Sequence, residues 1–203
     1  MLHLTTGFES VAQCQRWLSE RFRLVPQYDG ELVHAVTPSD DKRPGFNSTT
    51  TGAVDFHNDA YDYARVPRYV ALYCEQSARS GGRTMTTEVA PAVNLLGSQA
   101  WHFLRTAQVE FKTAPARYFD TPGTGVRATI LAGSALRFSV NYLETVLPLD
   151  SHRHIHDFRD CLTRYTQVHE LRSGDVLVFD NQRLLHAREA FTGPRRLYRF
   201  WMA

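Results

Sequence analysis

Gly174-Asp175-Val176-Leu177-Val178-Phe179-Asp180-Asn181-Gln182-Arg183-Leu184-Leu185-His186-Ala187-Arg188, running on through Phe191-Thr192-Gly193-Pro194-Arg195-Arg196-Leu197 to Tyr198-Arg199, is the stretch whose reading decides the fold. A turn at Gly174-Asp175 leads into a short apolar run bounded by polar residues, the pattern of a buried strand. A polar corner bearing one histidine follows, then a second turn and an arginine-rich strand. A single histidine proves nothing. It gains meaning as a ligand only if partners of the right type lie elsewhere, and His57-Asn58-Asp59 offers them.

Outward from that stretch the chain reads as mainly β with helical outworks. Ser10 precedes Val11, Cys14, Trp17, Leu18 and Phe22, a spacing of three and four that predicts one amphipathic helix. Leu24-Val25 and Leu32 to Val36 flank a turn-like Tyr28-Asp29-Gly30-Glu31, which predicts a hairpin. Residues 37–51 hold Pro38, Pro44, Gly45 and many serines and threonines, the chemistry of a mobile loop. Strands are expected at 53–56, 69–74 and 84–87, with a polar corner at 57–63 and a turn at Ser80-Gly81-Gly82. Two short helices are expected at 91–96 and 98–104. Further β runs are expected at 109–111, 126–131 and 136–140, with a hairpin tip at Gly133-Ser134. Ser151 is placed to cap a helix through Ile155, Phe158, Leu162 and Tyr165. Turns every ten residues or so make a sandwich or barrel, not alternating βαβ units.

The 203 residues suit a single domain, 1–203, divided here into an N-terminal helix and hairpin (1–36), the loop (37–51) and a β core (52–203). No apolar run approaches the ~18 residues of a membrane span, and Met1 to Thr6 lack a signal peptide's basic start, so no membrane and a cytoplasmic chain are expected. Cys14, Cys74 and Cys161 are odd in number and far apart, which argues against a disulfide framework. A net charge of +2 with both signs interspersed gives no reason to expect nucleic acid. A small-molecule partner is the expectation, and a homo-oligomer is left open.

His57 and Asp59 are two apart, so on extended backbone both leave the same face. With His186 they make two imidazoles and one carboxylate, the set that holds non-haem Fe(II) on one face and leaves positions open for cosubstrate and dioxygen. A lone His-x-Asp is also what a capped turn looks like. What lifts it is order along the chain: His-x-Asp, Gly81-Gly82-x-Thr84, Gly174-Asp175 before an apolar strand, Asp180-Asn181, and a late His-x-Arg before a basic strand.

On those residues the chain resembles the Fe(II)/2-oxoglutarate dioxygenases of the taurine dioxygenase and clavaminate synthase group, which includes trimethyllysine and γ-butyrobetaine hydroxylases. The likeness covers roughly residues 54 to 201, and is most specific at Asp180-Asn181-x-Arg183, His186-x-Arg188-Glu189-x-Phe191-Thr192-Gly193 and Arg195-x-Leu197. It implies a double-stranded β-helix (jelly-roll) fold, iron held by His57, Asp59 and His186, and 2-oxoglutarate chelating that iron. It also implies hydroxylation of an unactivated C–H bond of a small metabolite, such as an amino acid, using O2 with release of succinate and CO2. Asp59 fits that outcome, because related halogenases carry a small residue there.

The far carboxylate of the cosubstrate calls for an arginine fork. Arg195, Arg196 and Arg199 are the candidates; on a strand Arg195 and Arg199 share a face and Arg196 points away. The resemblance assigns the cosubstrate to Arg195, nine after His186, with Thr84 as a hydrogen-bond donor to the same carboxylate. By the same resemblance Arg199 meets an acidic group of the substrate. Asn58, between the ligands, and Asn141, read as lying on a central strand, are further candidate substrate contacts. Arg188 and Asn181 read as residues that orient the corner around His186. The His152, His154, His156 cluster reads as surface histidines, with only His152 and His156 sharing a helix face.

Several positions depart from the group: 56 residues precede His57, fewer than in most relatives, Ala187 replaces the usual glycine, and Gln182 stands where some relatives have tryptophan. The alternatives are a desaturase, epoxidase or cyclase on the same iron centre, or a catalytically silent jelly-roll that binds a metabolite.

Overall fold

The computed structural model describes residues 2–38, 49–112, 125–133 and 135–203, so most of the loop read over 37–51, and Ser134 of the expected hairpin tip, lie outside the described residues. In chain order the elements are β1 (Leu2–Thr5), α1 (Val11–Ser19), β2 (Leu24–Val25), β3 (His34–Val36), β4 (Val54–His57), β5 (Tyr69–Gln76), β6 (Ser80–Gly81), β7 (Thr84–Glu88), α2 (Val89–Asn94) and α3 (Ser98–Thr106). There follow β8 (Gln108–Phe111), β9 (Val126–Thr129), β10 (Leu131–Ala132), β11 (Ala135–Leu136), α4 (Val140–Val146), α5 (His152–Thr163), β12 (Gln167–His169), β13 (Val176–Asp180), β14 (Leu184–Arg188), β15 (Phe191–Thr192) and β16 (Arg196–Met202).

Two antiparallel sheets carry the fold. One runs β1-β13-β5-β16, with β2 and β3 both on the far edge of β16; the other runs β12-β7-β14-β4. Strand alternation sorts their side chains into layers. Leu72, Leu177, Phe179, Leu197 and Trp201 of the larger sheet meet Leu184 of the smaller one between the sheets. Ala71, Tyr73, Val176, Val178, Phe200 and Met202 face the other way, onto Cys14 and Leu18 of α1. Leu185, Ala187 and Met85 turn out of the smaller sheet onto Leu143, Ile155, Phe158 and Leu162 of the helical outworks. A strand covered on both faces must be apolar throughout, which is why Val176 to Phe179 form an unbroken run rather than an alternating one. Each fully buried leucine or phenylalanine here contributes roughly 1.5–3 kcal/mol. The architecture is the mainly β jelly-roll with helical outworks.

Local chemistry explains the first helix: the Gln13 amide donates to Ser10 Oγ at 3.2 Å, capping α1. Other expectations are corrected. Leu24-Val25 and His34–Val36 do not pair with each other. The turn between them forms, with Gln27 O accepting from Gly30 N at 3.0 Å, but the two strands lie end to end along β16, opposite Trp201–Met202 and Leu197–Arg199. Residues 1–36 therefore are not an appendage to a core that starts at 52, since β1, β2 and β3 supply three of the six strands of the larger sheet. The run at 136–140 ends early, because Ser139 caps α4 by accepting from the Tyr142 amide. Ser151 does not cap α5; it closes a 3-10 turn, and its hydroxyl turns to Asp150.

Candidate functional site

His57 ends β4 directly opposite His186 of β14 in the smaller sheet, which brings the two imidazole centroids to 4.1 Å. Between His186 and Arg188 the pairing slips, with one more residue on β4 than on β14, a bulge that re-aims the strand end. The His57 ring is oriented by its own strand: Nδ1 lies 2.9 Å from the Asp55 carbonyl. A carbonyl only accepts, so Nδ1 carries the proton and Nε2 keeps its lone pair for the site.

Asp59 follows on a corner that is tied from both sides. Asn58 turns away from the histidines, its side-chain oxygen accepting from Phe138 N at 2.8 Å and its amide donating to Leu136 O at 3.1 Å. Asn181 grips the Asp59 backbone, accepting from its N–H at 2.8 Å and donating to its C=O at 3.1 Å. Ala60, the next residue, sits at φ 55° with no exposure, the kind of backbone strain that persists where surrounding contacts over-determine it. One ligand atom each from His57, Asp59 and His186 lie within 4.8 Å of one another.

The donor set fits a divalent cation of the Fe(II) type. Burial holds the His57 imidazole below its ordinary value and pushes His186 down to about 3, with the neighbouring His57 adding to the effect. Both rings are therefore neutral lone-pair donors at pH 7, and His186 Nδ1 is buried without a partner. Burial pushes the Asp59 carboxyl upward, but the Arg199 charge, the two imidazoles and the Trp201 N–H together outweigh this and hold it below its ordinary value. Two neutral imidazoles and one carboxylate leave a local charge of one minus to meet the ion.

A single cavity joins the two histidines of this triad, His57 and His186, to Thr84, Arg188, Arg195 and Arg199. Thr84 opens β7 and is buried opposite Arg188 in the smaller sheet. Arg195, only 5% exposed, precedes β16 and lies beside Phe191, its guanidinium carbon 5.3 Å from the ring centroid. Gly82 makes room for it: a Cβ there would stand 3.2 Å from both Cδ and Nε of Arg195. Among the described residues no carboxylate pairs with Arg195 or with Arg188. Arg188 donates to the Thr50 and Gly52 carbonyls at 2.7 and 2.6 Å, yet its Nε is buried without a partner. Burial, together with the charge of Arg195, pushes it down to about 10. Two mutually repelling guanidiniums in a buried pocket make a candidate anion site.

Arg196 is turned outward and pairs with Glu75 at 3.1 Å. Arg199, read from the sequence as a contact for an acidic group of the substrate, has its guanidinium engaged by protein. Nη1 donates to Asp59 Oδ1 at 3.0 Å and Nε to Gln27 Oε1 at 2.8 Å. Asn58 is fully buried with its amide consumed by residues 136–138, so the structure does not offer it as a substrate contact. Asn141 lies on α4, not on a strand, and lines a groove on the outer side of the smaller sheet with Phe56, Met85 and Ala187. The histidine cluster is also not all surface. His154 is buried and stacks on Phe103 at 4.8 Å, while His152 bonds the Leu147 carbonyl and His156 bonds Glu144.

Three residues escaped the sequence reading. Trp201 donates Nε1 to Asp59 Oδ2 at 3.0 Å. Its signal was present, since positions 195, 197, 199 and 201 share a face. Gln27 braces Arg199 from the turn before β3 and carried no signal. Asp62 is 7% exposed, its Oδ1 has no partner, and burial pushes its carboxyl up to about 6.

Comparison with known proteins agrees with this geometry. The chain is 26% identical over 198 residues to 3-((Z)-2-isocyanoethenyl)-1H-indole synthase of Fischerella ambigua, covering 88% of this chain and 70% of that protein. It is 28% identical over 173 residues to clavaminate synthase 2 of Streptomyces clavuligerus, covering 82% of this chain and 53% of the relative. An asparagine oxygenase in complex with Fe(II), 2S,3S-3-hydroxyasparagine and succinate superposes with a TM-score of 0.75 at 20% identity, over 98% of this chain and 66% of that one. The chain thus spans about half to two thirds of the latter two proteins. The profile of the family described as "Taurine catabolism dioxygenase TauD, TfdA family" matches residues 7–201, and the chain belongs to that family.

Proposed function

We propose that the protein is an Fe(II)/2-oxoglutarate-dependent oxygenase that hydroxylates an unactivated C–H bond of a small metabolite, an amino acid being the favoured class. The observation that carries this is that His57 and His186 of the His57-Asp59-His186 triad share one cavity with the buried Arg195, which has no carboxylate partner among the described residues. The triad suits a cation with open positions, and the arginine a dicarboxylate's far end. Likeness to an asparagine oxygenase supports the amino-acid class.

In this reading each side chain has a stated task. His57 Nε2, His186 and Asp59 would hold the iron. Arg195 forks onto the distal carboxylate of 2-oxoglutarate, Thr84 donates a hydrogen bond to it, and Arg188 lends a second positive charge. Iron, when bound with 2-oxoglutarate and O2, supplies the oxidising power that breaks the C–H bond, with succinate and CO2 as coproducts. Phe179, packed on the His186 ring at 5.0 Å, and the apolar layer between the sheets keep water from the buried side of the site.

Anaerobic addition of Fe(II) and 2-oxoglutarate to the folded protein should produce a weak visible charge-transfer band. A folded protein that gives none would sink the proposal. The names of two relatives, both synthases, favour a second reading in which the same centre desaturates or cyclises its substrate. Product analysis after a succinate-release screen of small acids and amino acids separates the two outcomes.

A further inference from the structure

Both oxygens of Asp59 are held, and by one strand. Arg199 and Trp201 are two apart on β16, so they leave the same face. The Arg199 guanidinium reaches Oδ1 at 3.0 Å and the Trp201 indole N–H reaches Oδ2 at 3.0 Å. Arg199 is itself braced twice by Gln27, which accepts from its Nε at 2.8 Å and donates to its backbone carbonyl at 2.7 Å. The rings of Tyr28 and Trp201 flank the guanidinium at 5.4 and 5.1 Å.

We infer that Arg199 is a positioning residue which, with Trp201, aims the Asp59 carboxylate at the metal, and that it does not bind the substrate's acidic group. The inference rests on the metal reading proposed above. Its first support is valence: an ionised carboxylate has about four lone-pair directions, and the two donors occupy one on each oxygen, fixing its plane and leaving the others for an ion. The second is the arginine's own geometry. A bidentate grip on another carboxylate needs two neighbouring nitrogens. Either such pair includes Nη1, already on Asp59, or Nε, already on Gln27. A substrate carboxylate on the Nε edge would have to break the buried bond to Gln27, and on the other edge it would share Nη1 with Asp59 and bring a second negative charge beside it. The third is the setting, because Asp59 and Arg199 are both buried and the guanidinium stands 3.0 Å from the carboxylate as its countercharge. Removing the arginine would free Oδ1 and let the carboxylate rotate away from the aim that the two donors give it.

Cobalt(II), an oxygen-stable stand-in for Fe(II), can be titrated into the whole chain and followed by its visible absorption. Arg199→Gln should weaken Co(II) binding about 10- to 100-fold, the range seen when partners that orient a ligand are lost. Trp201→Phe, which keeps the ring and removes the N–H, should weaken it several-fold, and Arg199→Lys should recover part of the arginine's effect. Chemical rescue gives a readout that a merely structural role would not move. In Asp59→Gly, the freed Arg199 and Trp201 donors should recruit formate, and millimolar formate should restore Co(II) binding; in Asp59→Gly/Arg199→Gln formate should do nothing. Wild-type Co(II) affinity in folded Arg199→Gln and Trp201→Phe, or equal rescue with and without Arg199, would overturn the inference alone. Failure of the folded wild-type chain to bind Co(II) would overturn the metal reading together with it.

Discussion

Arg195 and Arg199 are the same residue type, four residues and so two strand repeats apart on one face, and both buried at 5% and 8% exposure. Their surroundings differ completely. Arg199 has a carboxylate, an amide oxygen and two aromatic rings from its own chain, whereas Arg195 has a phenylalanine ring and no carboxylate among the described residues. Burial of a guanidinium is tolerable when its charge is answered inside the fold and costly when it is not. An arginine left unanswered beside a candidate metal triad is therefore a better pointer to a ligand than one already answered.

The comparison can be broken most severely through catalysis. Arg195→Ala should raise the 2-oxoglutarate concentration needed for half-maximal succinate release by roughly 100-fold or more, the loss of a charge-assisted fork. Arg196→Ala, on the outward face, should change it little. Equal effects would mean that the face assignment fails.

Stability of the chelator-treated protein inverts the ranking. Arg199→Met strands the Asp59 carboxylate and should cost about 3–5 kcal/mol in urea unfolding. Arg195→Met removes an unanswered charge and should cost nothing or stabilise. Adding 2-oxoglutarate with a divalent ion should then protect Arg199→Lys more than Arg195→Met.

A smaller effect is expected at Gly82, which combines φ 72° with close approach to Arg195. Gly82→Ala should cost about 1–3 kcal/mol through backbone strain and displace the Arg195 side chain. The sign of that reading is checked by an accompanying rise in the 2-oxoglutarate requirement; strain without such a rise would detach Gly82 from the pocket.

The smallest effect concerns pH. Asp62 titrates at about 6, above an ordinary carboxylate, so the folded chain holds its proton more tightly than the unfolded chain does. Its contribution favours folding at low pH and is lost as pH rises through about 6. In chelator-treated protein, Asp62→Asn should therefore stabilise by about 2 kcal/mol near pH 8 and by almost nothing near pH 4. His57 and His186 act in the opposite sense, because their depressed values cost stability as pH falls below about 6.5. The difference between variant and parent cancels them.

The fold was legible where periodicity was strong. Val176 to Phe179, the α1 stripe and the His-x-Asp corner each follow from local spacing, and so does the separation of Arg196 from its neighbours. What escaped depended on long-range pairing. Nothing local in Leu24-Val25 or His34–Val36 says that their partner lies more than 150 residues later rather than across the nearest turn. Asn141 was misread because Ser139 offers both a strand end and a helix cap, and only the tertiary contact of His57 with Ser139 decides between them. Arg199 was read by position along the chain, while its role depends on Gln27 and Asp59, 172 and 140 residues away. His154 looked solvated at a helix start, yet α3 covers it with Phe103.

The edges of the larger sheet hold a consequence for how the molecule assembles. β1 closes one edge against β13, and β2 and β3 close the other against β16. β1, β2 and β3 thus wait for partners made more than 150 residues later, and both edges stay unpaired until β13 and β16 arrive. Such late, distant pairing makes for slow folding and a window of exposed strand edges. Since β3 and Gln27 bracket Arg199, the grip on Asp59 also forms only when β16 docks. Competence to take up metal should accordingly mature with the docking of β16 and report on completion of this sheet.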